Sequence, residues 1–165
     1  MSGEVVADTG PLIALARIGQ LDLLRRLYGH VAIPPAVESE LAIGSGRPGA
    51  RALEGALDTG WLRVDPITGG SVLQDFFLLL GAGEAEAIAL AAQQQARFLL
   101  IDDARGRRIA RSRGLPVVGV AGVLLVAKNQ REVEAVSPIL RALSDAGYRL
   151  APQLVGKVLA AAGED

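Results

Sequence analysis

The chain has 165 residues, half of them apolar and only 4% aromatic, which suits one domain whose core is built from Leu, Val, Ile and Ala. There is no Cys and a single His, His30, so disulfide frameworks, thiolate metal sites and multi-histidine sites are excluded. No basic segment leads into a long apolar stretch and no apolar run reaches membrane-spanning length, so the expectation is a soluble cytoplasmic protein without a signal peptide. The net charge of −1 leaves any grip on phosphates to local basic patches.

In chain order, Val5-Val6-Ala7 reads as a short buried parallel strand, broken by Asp8-Thr9-Gly10-Pro11. Pro11 suits the first position of a helix. Leu12, Leu15, Leu24 and Leu27 keep helical spacing, with a break near Gly19. His30 to Ile33 forms a second strand, in which His30 is an ordinary first residue. Pro35 opens a helix over Ala36–Ile43. A loop over Gly44–Gly49 leads to a helix over Ala50–Asp58 and a strand over Trp61–Val64. After the loop Pro66–Gly70, Val72–Leu80 is apolar and helix-like, and serves either as core or as an interface. Glu84–Ala96 is a strong helix and Phe98–Ile101 a buried strand ending in Asp102-Asp103. A basic helix runs to Arg113, Pro116–Val120 is the last strand, and two or three helices follow, with a turn at Ala146-Gly147. Alternation of strand and helix predicts an α/β fold, a three-layer α/β/α sandwich around a parallel sheet.

In such sheets ligands bind beyond the carboxyl ends of the strands. Asp8 ends one strand there, and Asp102 and Asp103 end another. A lone Asp8 also suits a helix cap or turn, and one of the Asp pair suits a cap for the helix starting at Ala104. Helical phase puts Glu40 on the side of Ala36, Val37, Leu41 and Ile43, and Glu84 on the side of Ala87, Ile88 and Ala91. Glu38 and Glu86 point away. A carboxylate on an apolar face is unfavourable unless paired or bound to metal, although Glu84 also gains from the helix dipole. Together Asp8, Glu40, Glu84 and Asp102/Asp103 would repel one another unless a cation neutralised them. Oxygen-only ligands suit Mg²⁺ or Mn²⁺, ions that bind phosphates and activate water for phosphodiester hydrolysis.

These segments resemble a known family. Val5 to Ile13 is similar to the opening motif of PIN domains, the fold of VapC-type toxin ribonucleases. Ile33 to Leu41 resembles the second motif, with Glu40 before the leucine, and Gly83 to Ala91 the third, in its Gly-Glu-x-Glu-Ala-Ile form. Leu99 to Arg105 resembles the fourth, and Val118 to Leu124 the last strand with its turn. The resemblance covers about residues 4–130, leaving 131–165 as C-terminal helices. It implies a metal-dependent ribonuclease with Asp8, Glu40, Glu84 and Asp102 or Asp103 as catalytic metal ligands. It also implies an RNA substrate, an antitoxin protein as partner and a homodimer. Two departures stand out: Gly10 replaces a frequent Ser, whose hydroxyl Thr9 could replace as a substrate-binding residue, and Glu84 replaces a frequent Asp.

Arg105, Arg108 and Arg111 form a stripe on the basic helix, able to hold RNA phosphates or merely to face solvent. Three other readings compete. Asp8-Thr9-Gly10 is also the tripeptide of aspartic proteases, but here it runs into a helix in an α/β pattern. An inactive PIN-like binding module would be expected to lack an acid, and none is missing. Another phosphate-handling enzyme would call for a glycine-rich phosphate loop or a placed lysine, and the only lysines are Lys128 and Lys157.

Overall fold

Runs of three apolar residues are enough for the inner strands here, because each is buried on both faces. The computed structural model describes residues 3–165. Its first half runs β1 (Val5–Ala7), α1 (Thr9–Arg17), α2 (Asp22–Tyr28), β2 (Val31–Ile33), α3 (Pro35–Glu40), α4 (Ala50–Thr59) and β3 (Leu62–Val64). There follow α5 (Ser71–Phe77), α6 (Ala82–Gln94), β4 (Phe98–Leu100), α7 (Ala104–Ser112) and β5 (Val117–Val118). Three helices close the chain: α8 (Val120–Asn129), α9 (Ser137–Asp145) and α10 (Pro152–Ala162).

The five strands form one sheet in the order β3-β2-β1-β4-β5, and every neighbouring pair is parallel. Helix α6 packs on β1 and β4 with α7 beside it, while α2 lies on β2 and α8 on β5, with α10 beyond α8. This is the three-layer α/β/α arrangement that the alternation predicts. Val6, Ala32 and Leu99, side by side in the sheet, are fully buried. Continuous apolar strands of this kind belong to parallel sheets shielded by helices.

The strand order fixes where a site can form. The chain moves outward from β1 to β2 and β3, then crosses over α5 and α6 to β4 on the other side of β1. The switch point therefore lies at the carboxyl ends of β1 and β4, where a crevice opens. Asp8 directly follows β1, and Asp102 and Asp103 follow β4 after Ile101.

Several boundaries differ from the sequence reading, each for a local reason. Helix α1 starts at Thr9, so Pro11 sits inside its first turn. Helix α3 stops at Glu40 instead of Ile43, and the turn after it carries Ala42 at φ 53 and Gly44 at φ 82. β5 keeps only two residues because Val120 already begins α8. Helix α5 ends at Phe77, leaving Leu78 85% exposed and Phe77 and Leu79 about half exposed, while Phe76 is buried. Leu73–Leu80 is thus neither all core nor one continuous face, and the side chain of Val72 lies outside the described residues.

Candidate metal centre

Asp8 is the only buried charged residue among those described, at 6% exposure. Its backbone N–H completes the sheet ladder by donating to the Leu100 carbonyl at 2.9 Å, which holds the residue at the mouth of the crevice. It occupies the N-cap position of α1 yet makes no capping hydrogen bond, and its Oδ1 has no partner at all. Burial pushes its carboxyl up to about 7, and Glu84, Glu40 and Asp103 add to the rise; the nearby Thr9 N–H opposes it without closing a sound hydrogen bond.

Glu40, at the last position of α3, is held from two sides. Thr9 Oγ1 donates to its Oε1 at 2.9 Å. Gly83, in the first turn of α6, leaves room for its carboxylate: a Cβ there would lie 2.7 Å from the Glu40 Cδ and collide with both oxygens. The requirement for glycine here is one of close approach, since Gly83 has an ordinary helical backbone. One residue on, Glu84 is half-buried, and its carboxyl is raised first by burial and then by Asp103 and Glu40, with Arg105 opposing. Helix α6 reaches the other end of α3 as well. Glu86 Oε1 accepts from the Ala36 N–H at 2.9 Å. Helical phase had turned Glu86 away from function, but it binds an N–H that the start of α3 leaves without an intrahelical partner. Glu38 is exposed.

The two adjacent aspartates do different things. Asp103 caps α7, accepting from the Gly106 N–H at 2.7 Å, and its charge acts on both Asp8 and Glu84. Asp102 is turned aside. Its Oδ2 accepts from the Val120 N–H at 3.2 Å and from the Tyr148 hydroxyl at 2.5 Å. Burial, then Asp102, raises the Tyr148 phenol far above its ordinary value. Arg107, beside this pair, donates to the Ile101 carbonyl at 2.7 Å.

Asp8, Thr9, Glu40, Glu84, Asp102 and Asp103 line one cavity of about 360 Å³, together with Gly147, Tyr148 and Arg149. Among the described residues no three acidic side chains stand at ligand spacing around one point. Nor does any described cation come within ion-pair distance of Asp8, Glu40, Glu84 or Asp103. Carboxylates that repel one another without a counterion would be expected to stand apart in this way. The buried, unpartnered oxygen of Asp8 and the all-oxygen donor set fit a hard divalent cation. Arg105 and Arg108 border Glu84 and Asp103 in the adjoining depression, while Arg111 lies further along α7, beside Asp102, Arg107 and Arg108. The side chain of Arg105 is already engaged, donating to the Leu79 carbonyl at 3.3 Å.

A family model described as a PIN domain matches residues 4–164. The chain belongs to the PIN-domain family. PIN domains are generally nucleases that act on nucleic acid with divalent metals, so the role of this PIN domain is of the nuclease type. The match extends through α9 and α10, past the residues that carry the resemblance in sequence. No curated protein matches the chain significantly. Among solved structures, the PIN domain is similar to "a domain of a functionally unknown protein" from Methanocaldococcus jannaschii DSM 2661. The two share 22% identity over 72% of this chain and 91% of that one, with a TM-score of 0.46. Among the described residues no helix is long and apolar enough to cross a membrane.

Sequence reasoning missed four residues of this PIN domain's crevice. Gly83 stands out in the sequence only as part of a motif, and helical phase turns Glu86 aside. Tyr148 and Arg149 follow the turn at Gly147, but no sequence spacing ties that turn to Asp102, 46 residues before Tyr148.

Proposed function

We infer that this PIN domain, one domain over residues 1–165, hydrolyses phosphodiester bonds of RNA as a divalent-metal-dependent endoribonuclease. One observation supports the reading above all. Asp8 is buried with an unpartnered oxygen and faces Glu40, Glu84 and Asp103, with no described cation paired to any of them. An arrangement so unfavourable by itself makes sense as a receptor for positive charge. Asp8, Glu40, Glu84 and Asp103 would hold Mg²⁺ or Mn²⁺, with Asp102 as a neighbour steadied by Tyr148. When bound, the ion supplies Lewis-acid polarisation of a phosphoryl oxygen and a more acidic water. The chain's own groups do the positioning. Thr9 steers the Glu40 carboxylate, Gly83 leaves it room, and Glu86 secures the start of the helix that carries it. Arg105 and Arg108 are set to meet phosphate oxygens next to Glu84 and Asp103, and Arg111 extends that basic edge.

On the same reading the chain is the toxin of a toxin–antitoxin pair, acting in the cytoplasm as a homodimer and restrained by an antitoxin protein. The exposed Phe77-Leu78-Leu79 run beside the crevice supports a protein contact there. A second reading, an inactive RNA- or protein-binding module, draws on the absence of three described acids at ligand spacing. Incubating the purified chain with mixed single-stranded RNA in Mn²⁺, in Mg²⁺ and in EDTA separates them. Cleavage in the ions that stops in EDTA is expected, and cleavage should vanish in a folded Asp8→Asn protein. RNA bound but left intact in both ions would favour the inactive module.

A further inference from the structure

Among the described residues Arg149 is the only basic one lining the carboxylate cavity, and it comes from the α9–α10 link and not from the basic helix α7. It is exposed, and among the described residues it has neither an ion pair nor a side-chain hydrogen bond. Its backbone is nonetheless held by its neighbours. Gly147 turns the chain at φ +89, the Tyr148 N–H donates to the Leu143 carbonyl at 2.9 Å, and the Tyr148 hydroxyl is tied to Asp102. The residue next to Arg149 is thus anchored both to α9 and to the crevice.

A second cavity, of about 660 Å³, opens on the other side of Arg149, between α10 and the β5–α8 corner. Asp102 and Arg149 line both cavities, so the two adjoin there. Two further cations, Arg107 and Lys157, line the second cavity, and Val118, Leu125 and Leu154 give it an aliphatic floor. Among the described residues no carboxylate other than the Asp102 already bonded to Tyr148 lines it. The crevice therefore continues, past one arginine, into a mostly apolar groove edged by Arg107, Arg149 and Lys157.

The geometry points to this groove as the subsite for the nucleotide next to the scissile phosphate, with Arg149 at the junction holding a phosphate and Lys157 the next one along the strand. The inference rests on the nuclease reading for the word scissile. Its binding content stands on the charge and continuity of the two cavities. Among the described residues Tyr148 is the only aromatic one lining either cavity, and its hydroxyl is already committed. Affinity in the groove then comes from phosphate neutralisation, not from base stacking, and is strongly salt-dependent with little sequence preference.

The test measures binding and cleavage separately. In EDTA, where cleavage is silent, fluorescence anisotropy of a labelled single-stranded RNA octamer is followed against salt for the full chain. Arg149→Gln and Lys157→Gln should each weaken binding several-fold and flatten the plot of log affinity against log salt by about 0.7, the share of one single-strand phosphate. Arg51→Gln, on the exposed side of α4, should change neither, and melting curves check that all variants fold. In Mn²⁺, Arg149→Gln should raise KM more than it lowers kcat. RNA cleavage in Mn²⁺ with affinity and salt slope unmoved by Arg149→Gln and Lys157→Gln would overturn the subsite and leave the nuclease reading intact. An Arg149-dependent slope without cleavage in any metal would do the opposite. A polyglutamate peptide that competes as well as RNA would assign the groove to acidic protein segments and overturn the nucleotide.

Discussion

Asp8 and Asp65 each stand one residue past the carboxyl end of a strand in the same sheet, and they meet opposite surroundings. Asp65 follows the edge strand β3. It accepts from Arg63 at 2.9 and 3.1 Å and from Gln94 at 2.6 Å, and the Arg63 bond holds its carboxyl below the ordinary range. Asp8 follows the central strand β1, is buried, and has other acids as its charged neighbours, so its carboxyl is driven up to about 7. The same residue type at the same strand position is neutralised by the protein in one case and left unneutralised in the other. Glu164, hydrogen-bonded to Lys128 and to two backbone N–H groups, belongs with Asp65. Glu84 belongs with Asp8. A buried acid left unbalanced, in a fold that pairs Asp65 and Glu164, supports a site reserved for something the chain itself does not supply.

Removing the unbalanced charge should have the largest effect. Asp8→Asn should reduce RNA cleavage by at least about 100-fold while the metal-free protein melts several degrees higher, because a repelled, desolvated anion is gone. Asp65→Asn should instead lower the melting midpoint slightly and leave cleavage alone. Equal effects from the two variants, in cleavage assays and calorimetry run side by side, would erase the distinction.

Gly83→Ala probes the same contrast through sterics. Alanine favours a helix by about 1 kcal/mol over glycine, so helicity should hold or improve. The new methyl, however, displaces the Glu40 carboxylate, and cleavage should fall by roughly 10- to 100-fold. Unchanged kcat with an unchanged melting curve would mean that Glu40 does not need its seat against α6.

A smaller loss is expected where sequence phase had assigned none. Glu86→Ala should cost about 0.5–2 kcal/mol, as removal of a helix-start acceptor does, and should lower cleavage several-fold. Glu86→Gln, which keeps an acceptor oxygen, should recover most of both, whereas Glu38→Ala should be silent. Identical behaviour of Glu86→Ala and Glu38→Ala in urea melts would remove the capping role.

The gentlest test is pH, in EDTA. Asp8 has its folded value raised above its usual 3.8, so its contribution is fully favourable below about 4 and is lost as pH rises through about 7. Glu164, held down to about 2 chiefly by Lys128, contributes above about 4.5 and loses that contribution as pH falls toward 2. The melting midpoint of the metal-free protein should therefore climb from pH 8 to about 5 and drop below about 4. Asp8→Asn should flatten the alkaline limb only. A midpoint that instead rises from pH 5 to 8 in wild type would contradict the environment described for Asp8.

Much of the fold was legible because parallel strands and amphipathic helices write themselves as local patterns. Val5–Ala7 and Phe98–Leu100 are apolar runs ending at acids, and that alone located the crevice. What stayed hidden is all long-range. Whether Asp102 or Asp103 faces the other acids depends on Tyr148, which no local pattern links to either. Glu86 looked idle because helical phase describes one helix, and its partner, the Ala36 N–H, lies on another. Arg149 lay outside every motif, and only the fold of α9 and α10 brings it to the cavity.

The shortness of β1 has a further consequence, for register. Val5, Val6 and Ala7 pair with Phe98, Leu99 and Leu100, and every one of these six residues is apolar and buried. Strands with one polar face resist slipping because a shift of one residue exposes the apolar side, but β1 and β4 have no polar face to expose. What β1 has is a charge at each end. Sliding it one way would carry Asp8 into the position of Ala7, between helices and opposite Leu100. Sliding it the other way would draw Glu4 off its 2.8 Å contact with Arg63 and into the position of Val5. Either slip inserts a carboxylate where none can be solvated, and the smallest such step is about 3.3 Å. Glu4 and Asp8 thus act as stops that hold a featureless strand in one alignment.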